Sequence, residues 1–453
     1  MFAINQEWNA TANSSALMTV DRTSLYEFLL LAAIVSALTL AAAWAYPIWD
    51  DARLAVLIGQ FGTGVILENF GWRFLVSLVL IFLANHQLLF PVGIIFHFLG
   101  WLTMGLITMK LWRLLFPDYV RFALLPGLLS VAPIICKIQL VIVTIVFMEL
   151  IPSLLSFLTV IIFLTEYASR RRRIINYVLA FLLIILSVLL CEYAVAAAGA
   201  VFVILMANAL REKTQVRRER QIVALLVPLV SLSSYIVSLF LATPTANPGF
   251  RPGYAVQVLP RKIQVIPFRL LSGIWRGTIG SVLASLGSIN VNSKVALLSF
   301  GCGAIFSVFV TLVVYKKTDS ALVRPRDWST VLTLLVAIIV AFLPVFLMDR
   351  TLESKWDTRF CMPVLPVLSS LTVFLLLQLV KKSVRVLVVI ACSFLVGYWT
   401  TFEIMYTHQH PESVVRIQAL PILARNDANK ISQLHWRVPE TFYEGHLLDR
   451  REN

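Results

Sequence analysis

Blocks of apolar residues recur along this chain, and they restrict its fold more than any other feature. The sequence is 59% hydrophobic and has a mean hydropathy of +0.84, whereas soluble domains contain about 45–50% apolar residues. Each block has about 20 residues, the length of helix that spans a hydrocarbon core of about 30 Å. The pattern therefore predicts an all-α fold: a polytopic transmembrane helical bundle.

We expect about thirteen spans, joined by loops that carry most of the charged residues. Pro126, Pro133 and Pro152 interrupt the apolar region 119–168, which we interpret as three short spans or as one long kinked hairpin. The predicted transmembrane domain covers residues 1–404, and residues 405–453 form a short polar tail. The predicted spans are 25–46, 74–92, 94–112, three within 119–168, 174–191, 194–210, 221–242, 295–315, 329–348, 360–380 and 386–404.

Basic residues in the short loops predict the orientation of the bundle, because such loops concentrate on the cytoplasmic side. With thirteen spans, four basic stretches and the N-terminus fall together on that side. The opposite, non-cytoplasmic side receives the first loop (47–73), Glu192, a long loop (243–294) and the C-terminal tail. The four basic stretches are Arg170–Arg173, Arg211–Arg220, Lys316–Arg326 and Lys381–Arg385.

The net charge of +14 does not predict a nucleic-acid partner. The basic residues lie at the ends of apolar segments rather than in one binding face. The sequence also contains no GxGxxG, P-loop, HExxH or nucleophile-elbow motif, which argues against nucleotide hydrolysis. Membrane lipids are the expected surroundings.

The long loop 243–294 is basic although it lies on the side where short loops avoid positive charge. It contains no Asp or Glu. One interpretation is a solvated loop that touches anionic headgroups, since long loops are partly exempt from the charge rule. The other is a site for a phosphate-bearing ligand, because Arg matches phosphate oxygens in geometry. The cations of this loop are Arg251, Arg261, Lys262, Arg269, Arg276 and Lys294.

The first non-cytoplasmic loop, 47–73, carries two adjacent acids, Asp50 and Asp51, just after the first span. One of them could act as a general base, since a carboxylate at the bilayer edge is partly desolvated and its pKa can be tuned. Alternatively, the acids could cap the helix beginning at Ala52. Glu68, Arg73 and Glu192 are further candidate site residues on the same side.

Three short motifs resemble those of the GT-C superfamily of membrane glycosyltransferases. The first is Trp49-Asp50-Asp51. The second is Asn69-Phe70-Gly71-Trp72-Arg73. The third is Asp357-Thr358-Arg359-Phe360-Cys361-Met362-Pro363-Val364-Leu365-Pro366, at the entry to a late span.

The resemblance implies an inverting enzyme that moves a sugar from a polyprenyl-phosphate donor to a glycan, lipid or protein acceptor. Asp50 or Asp51 would be the catalytic base, with Asp50 favoured by the related motif. Donor phosphate would be bound by Arg261, Lys262, Arg269, Arg276 and Arg359, without a metal or cofactor. The implied location is a bacterial inner membrane, with the site facing the periplasm or exterior. A lipid-linked glycan flippase and an envelope polysaccharide polymerase or ligase are the alternatives.

Overall fold

The described part of the chain is helical throughout. The computed structural model describes residues 22–45, 51, 54, 58, 62–64, 66–67, 73–135, 142–165, 169–211, 216–241, 293–316, 328–347 and 361–409, and these ranges contain no strand. Nine helices within them are long and apolar enough to cross a membrane. The predicted all-α class is therefore confirmed, and the length and composition of these nine helices suit a membrane protein, whereas the predicted count of about thirteen spans is not confirmed.

Twelve α-helices make up the described bundle, together with short 3-10 helices at Pro117–Phe122 and Lys382–Val384. The fifth helix includes one π-helical turn at Val146–Leu150. The helices are α1 (Arg22–Ala45), α2 (Phe74–Asn85), α3 (Leu89–Leu115), α4 (Leu124–Val131), α5 (Val143–Leu164), α6 (Arg170–Leu190), α7 (Ala194–Arg211), α8 (Val216–Leu241), α9 (Ser293–Lys316), α10 (Trp328–Leu347), α11 (Leu365–Leu379) and α12 (Arg385–Gln409).

Two predicted segments differ from the structure in length. The span expected at 74–92 is replaced by α2, which has 12 residues and is about 18 Å long, too short for a core of about 30 Å. Within the described part of 119–168, a single helix, α5, is long enough to cross. Pro152 lies inside α5 instead of ending a span.

Pro133 explains the short α4. A residue that precedes proline is pushed out of the α region, and Ala132 has an extended backbone with φ −73° and ψ 148°. Helix α4 therefore ends at Val131 after eight residues, all of them buried. Ala132, Pro133, Ile134 and Ile135 continue as a buried bend and turn.

Contacts between helix ends show that the long helices alternate in direction. Arg113, in the last turn of α3, donates to Glu27 near the start of α1 at 2.6 Å. Arg211, which ends α7, donates to Thr330 at the start of α10 at 2.9 Å. We call this end of the bundle the basic end. Its described cations are Lys110, Arg113, Arg121, Arg170, Arg171, Arg172, Arg173, Arg211, Arg217, Arg218, Arg220, Lys316, Lys381 and Arg385.

The opposite end of the bundle gathers buried carboxylates, and we call it the carboxylate end. Asp51 lies beyond α1, Glu149 near the start of α5, Glu192 between α6 and α7, and Glu403 near the end of α12. Leu54 and Ile66 of the first loop pack in one apolar cluster with α2 and the start of α5. The first loop is thus held against the bundle at this end.

Candidate functional site

Asp51 is bound to the start of α5. Its Oδ2 accepts the backbone N–H groups of Ile142 and Val143 at 2.8 and 3.0 Å, and its Oδ1 accepts the N–H and the hydroxyl of Thr144 at 2.7 and 2.9 Å. The first N–H groups of a helix have no partner within the helix. Asp51 therefore caps a helix 91 residues away in sequence, whereas the predicted cap was for the segment at Ala52.

This carboxylate is buried, with 1% of its surface exposed. Burial raises the pKa of Asp51 to about 6, and the hydrogen bonds from Thr144, Val143 and Ile142 act in the opposite direction. Each oxygen already accepts two hydrogen bonds, and a carboxylate oxygen has about two acceptor sites. In this conformation Asp51 holds the first loop to α5, and its catalytic role stays a prediction.

Arg73 and Glu192 form an ion pair in which Arg73 is buried and Glu192 is partly buried. Arg73 Nε and Nη2 donate to the two carboxylate oxygens of Glu192, and both distances are 2.9 Å. The guanidinium Cζ also lies 5.2 Å from the centre of the Tyr193 ring. Two predicted site residues are thus brought into contact, and the pair joins the end of the first loop to the α6–α7 turn.

Glu149 lines a cleft beside this pair that is too narrow to hold a water molecule in this conformation. It lies in the π-helical turn of α5 and is 4% exposed. Proline cannot donate the usual hydrogen bond to the residue four positions earlier, so Pro152 favours a wider turn at this point of the helix, and such turns are frequent at functional sites. The cleft is lined by Glu149, Pro152, Ser153, Cys191, Tyr193, Ala194 and Pro363.

The cleft contains the carboxylate of Glu149, and its cysteine, Cys191, is not a reactive thiolate. Burial raises the pKa of the Cys191 thiol well above its ordinary value, and Arg73 lowers it by less. Because the thiolate is the nucleophilic form of cysteine, Cys191 is a neutral packing residue here. Glu149 contributes the carboxylate of this cleft.

Pro363 shows that the third motif also reaches the cleft. It belongs to Cys361–Leu379, the late span that this motif opens, and it faces the same space as Glu149 and Tyr193. Arg359 of this motif lies outside the described residues. So do Asp50, Glu68, Arg261, Lys262, Arg269 and Arg276, and their predicted roles stay predictions.

Glu149 is a candidate that the predicted site residues did not include. The signal in the sequence was an acid within an apolar segment next to Pro152, since intramembrane acids are functional candidates by default. The sequence did not indicate the spatial neighbours of Glu149, because Cys191 and Pro363 come from distant parts of the chain. In the structure, both residues line the same cleft as Glu149.

Comparisons with known proteins identify no family for this chain. No family model matches it, and neither a curated protein nor a solved structure matches it. Within the described ranges, no group of three His, Cys, Asp or Glu side chains could hold a metal ion. The resemblance to GT-C enzymes is thus limited to the three short motifs.

Proposed function

We propose that this chain is an integral membrane glycosyltransferase whose site lies at the carboxylate end. It moves a sugar from a polyprenyl-phosphate donor to a hydroxyl of a glycan, lipid or protein acceptor. The observation that carries this proposal is the cleft of Glu149, where three separate parts of the chain meet. Tyr193 lines the cleft and stacks on Arg73, which closes the second motif, while Pro363 brings the third.

The reaction requires a base that takes the acceptor proton. The acceptor oxygen forms a bond to the anomeric carbon as the bond from that carbon to the phosphate oxygen breaks, and the configuration inverts. The proton passes to a carboxylate, and the electron pair leaves with the polyprenyl phosphate. A positioned base contributes about 10²–10⁴-fold to such a step. We prefer Asp50, next to the cap residue, and Glu149, in the cleft, over Asp51, whose oxygens already accept four hydrogen bonds.

The ion pair of Arg73 and Glu192 supports a positioning role for both residues. The two-point geometry uses the Nε and Nη2 donors of Arg73 and both oxygens of Glu192, so we assign this pair to holding Tyr193 and the first loop in place rather than to acid–base chemistry. The charge that develops on the leaving phosphate would be stabilised by Arg359 or by Arg261, Lys262, Arg269 and Arg276. Preorganised donors of this kind supply several kcal/mol in enzymes.

The same proposal includes a topology of eleven crossings. Helix α2 is too short to cross, and α4 with the bend that follows it at residues 132–135 belongs to the crossing between α3 and α5. This is two crossings fewer than predicted, so the predicted sides are unchanged. The basic end is then cytoplasmic, and the cleft faces the periplasm or exterior of a bacterial inner membrane.

One observation favours a second candidate, a lipid-linked glycan flippase. Transporters often contain discontinuous helices near the middle of the membrane, and α4 is such an interrupted element. However, the described residues of this break are apolar apart from Ser130, whose hydroxyl donates to the Gly127 carbonyl. Transporter breaks usually carry exposed ligand groups for substrate or ions. The enzyme is therefore the better supported proposal.

Purified protein in lipid, incubated with a panel of radiolabelled polyprenyl-phosphate sugars, tests the proposal. We expect the protein to transfer the labelled sugar from one of these donors to an acceptor. Glu149→Gln or Asp50→Asn should lower turnover by about 10²–10⁴-fold, while Glu219→Gln, which removes an acid at the basic end, should not. Donor that moves between leaflets without sugar release, in vesicles containing the protein, would instead establish the flippase.

A further inference from the structure

Cations and aromatic rings alternate at the basic end. Lys316 Nζ, at the end of α9, lies 5.3 Å from the centre of the Tyr26 ring in α1. The neighbouring Tyr315 ring lies 5.1 Å from Cζ of Arg121, in the 3-10 helix at 117–122. Three elements that are far apart in sequence therefore place their cations and rings side by side.

The same arrangement continues toward α12. Arg121 Cζ also lies 4.5 Å from the Phe122 ring, whose centre is 6.4 Å from that of Tyr119. Arg385 Cζ, at the start of α12, lies 5.2 Å from the Tyr119 ring. We call this set the cation–aromatic row. Its members are Tyr26, Lys316, Tyr315, Arg121, Phe122, Tyr119 and Arg385.

Stacking on the rings uses the flat faces of the two guanidinium groups in the row, those of Arg121 and Arg385. A guanidinium that stacks on a ring uses its flat face, while its N–H donors lie on the edge and match phosphate oxygens. The carboxylate of Glu27, on the same helix as Tyr26, is held at 2.6 Å by Arg113 and is 1% exposed. Asp118 adds one carboxylate on the 3-10 helix, against the three cations of the row. Among the residues that the structure describes, the row thus has more cations than carboxylates.

Exposed apolar side chains continue from the row toward the middle of the bundle. Leu312 lies one turn before Tyr315 on α9, and 62% of its surface is exposed. Leu29, one turn beyond Tyr26 on α1, is 51% exposed. A ligand with a phosphate and long acyl chains could bind the cations of the row and also cover the exposed leucines, whereas a free phosphate ion would bind the cations alone.

We propose that the cation–aromatic row is a binding site for an anionic phospholipid. The phosphate lies on Lys316, Arg121 and Arg385, and the acyl chains lie along the exposed leucines of α1 and α9. This site is at the opposite end of the bundle from the cleft of Glu149, so it does not depend on the proposed transferase activity. Its aromatic rings lie where Trp and Tyr usually mark the membrane interface.

Titration of the purified full-length protein with short-chain phosphatidylglycerol, followed by native mass spectrometry, tests the site. The variant carries Arg121→Gln, Lys316→Gln and Arg385→Gln. A cation near an anionic headgroup contributes about fivefold in affinity, so we expect the variant to bind on the order of 10–100-fold more weakly. Phosphatidylcholine should show much weaker binding to either protein.

The matched control removes three cations at the same end that are not in the row. Arg170, Arg171 and Arg172 are exposed at the start of α6, and their replacement by Gln should change the affinity by less than about threefold. Equal losses in both variants, or no loss in either, would overturn the proposal. Full competition by inorganic phosphate would also overturn it, by showing a small-anion site. Lys316→Gln alone, at an exposed position, gives a milder variant if the triple variant does not fold.

Discussion

Arg73 and Glu192 meet through two parallel hydrogen bonds, although they are 119 residues apart in sequence. Their side chains are 5% and 15% exposed, respectively. Together with the cap formed by Asp51, this pair gives the first loop two polar attachments to the bundle. A buried pair of this kind is sensitive to the loss of one partner, because the other charge is then left without compensation.

Replacing Arg73 with Gln, or Glu192 with Gln, should therefore lower the free energy of unfolding by about 3–5 kcal/mol. The double replacement Arg73→Met with Glu192→Leu should cost less than either single change, since no buried charge remains. Thermal unfolding in detergent, monitored by fluorescence, measures all three variants. Single variants as stable as the parent would show that the pair is solvated in the membrane.

Asp51→Asn should also destabilise the protein. Asn offers one acceptor oxygen and one NH₂ donor, so its amide would face N–H groups that now donate to a carboxylate. Each buried donor left without a partner costs about 1–3 kcal/mol. The same replacement at Asp118, a partly exposed position, serves as the control. An Asp51→Asn protein with unchanged stability and strongly reduced turnover would favour catalysis over capping.

The stability that Asp51 contributes should decrease as the pH rises. The pKa of Asp51 rises from 3.8 to about 6 in the folded protein, so the folded state favours the protonated carboxyl. The stability that this group contributes is fully present below pH 3.8 and is lost as the pH rises through about 6, by at most about 3 kcal/mol. The stability difference between parent and Asp51→Asn, measured by unfolding from pH 4 to pH 8, should therefore shrink as the pH rises. A difference that grows instead would mean that the four hydrogen bonds outweigh burial.

Two glycines of α9 should respond differently to the same substitution. A Cβ on Gly303 would lie 3.0 Å from the Phe394 carbonyl oxygen of α12, whereas a Cβ on Gly301 would have no atom within 4 Å. Close approach through small residues is a common basis of helix packing in membranes. Gly303→Ala should cost about 1–3 kcal/mol, and Gly301→Ala should be neutral in the same unfolding assay. Equal effects would show that α9 and α12 are free to separate.

The orientation of the bundle is tested by reporter fusions. A fusion at residue 215, between α7 and α8, should report the cytoplasm, and one at residue 440 should report the opposite compartment. The physical reason is the concentration of Lys and Arg at the basic end. Reports from the same compartment at both positions would contradict the topology and the side proposed for the cleft.

The sequence predicted the long helices well because their signal is local. An apolar stretch of about 20 residues is sufficient to identify a membrane helix, and α6, α7 and α9 lie close to their predicted ranges. Prolines were harder to interpret, because the same residue can end a helix or lie inside one. Pro133 follows the end of α4, whereas Pro152 lies within α5 after a π-helical turn.

The site was predictable only in part, because its geometry depends on contacts that the sequence does not encode locally. Arg73 and Glu192 were identified as candidates, yet nothing near either residue indicates the partner 119 positions away. Asp51 was expected to cap the neighbouring helix at Ala52, and it caps α5 instead. Glu149 carried a signal of its own, but its place beside Tyr193 and Pro363 emerges only from the packing of α5, the α6–α7 turn and the start of the late span.

The cap that Asp51 provides also has a consequence for the order in which the protein can assemble. A buried backbone N–H group without a partner costs about 1–3 kcal/mol. The first N–H groups of α5 find their acceptor in a segment synthesised 91 residues earlier. Because the first loop is synthesised before α5, its carboxylate is available as soon as α5 packs against it. A fragment that begins after this loop would contain α5 without the carboxylate that accepts its first N–H groups.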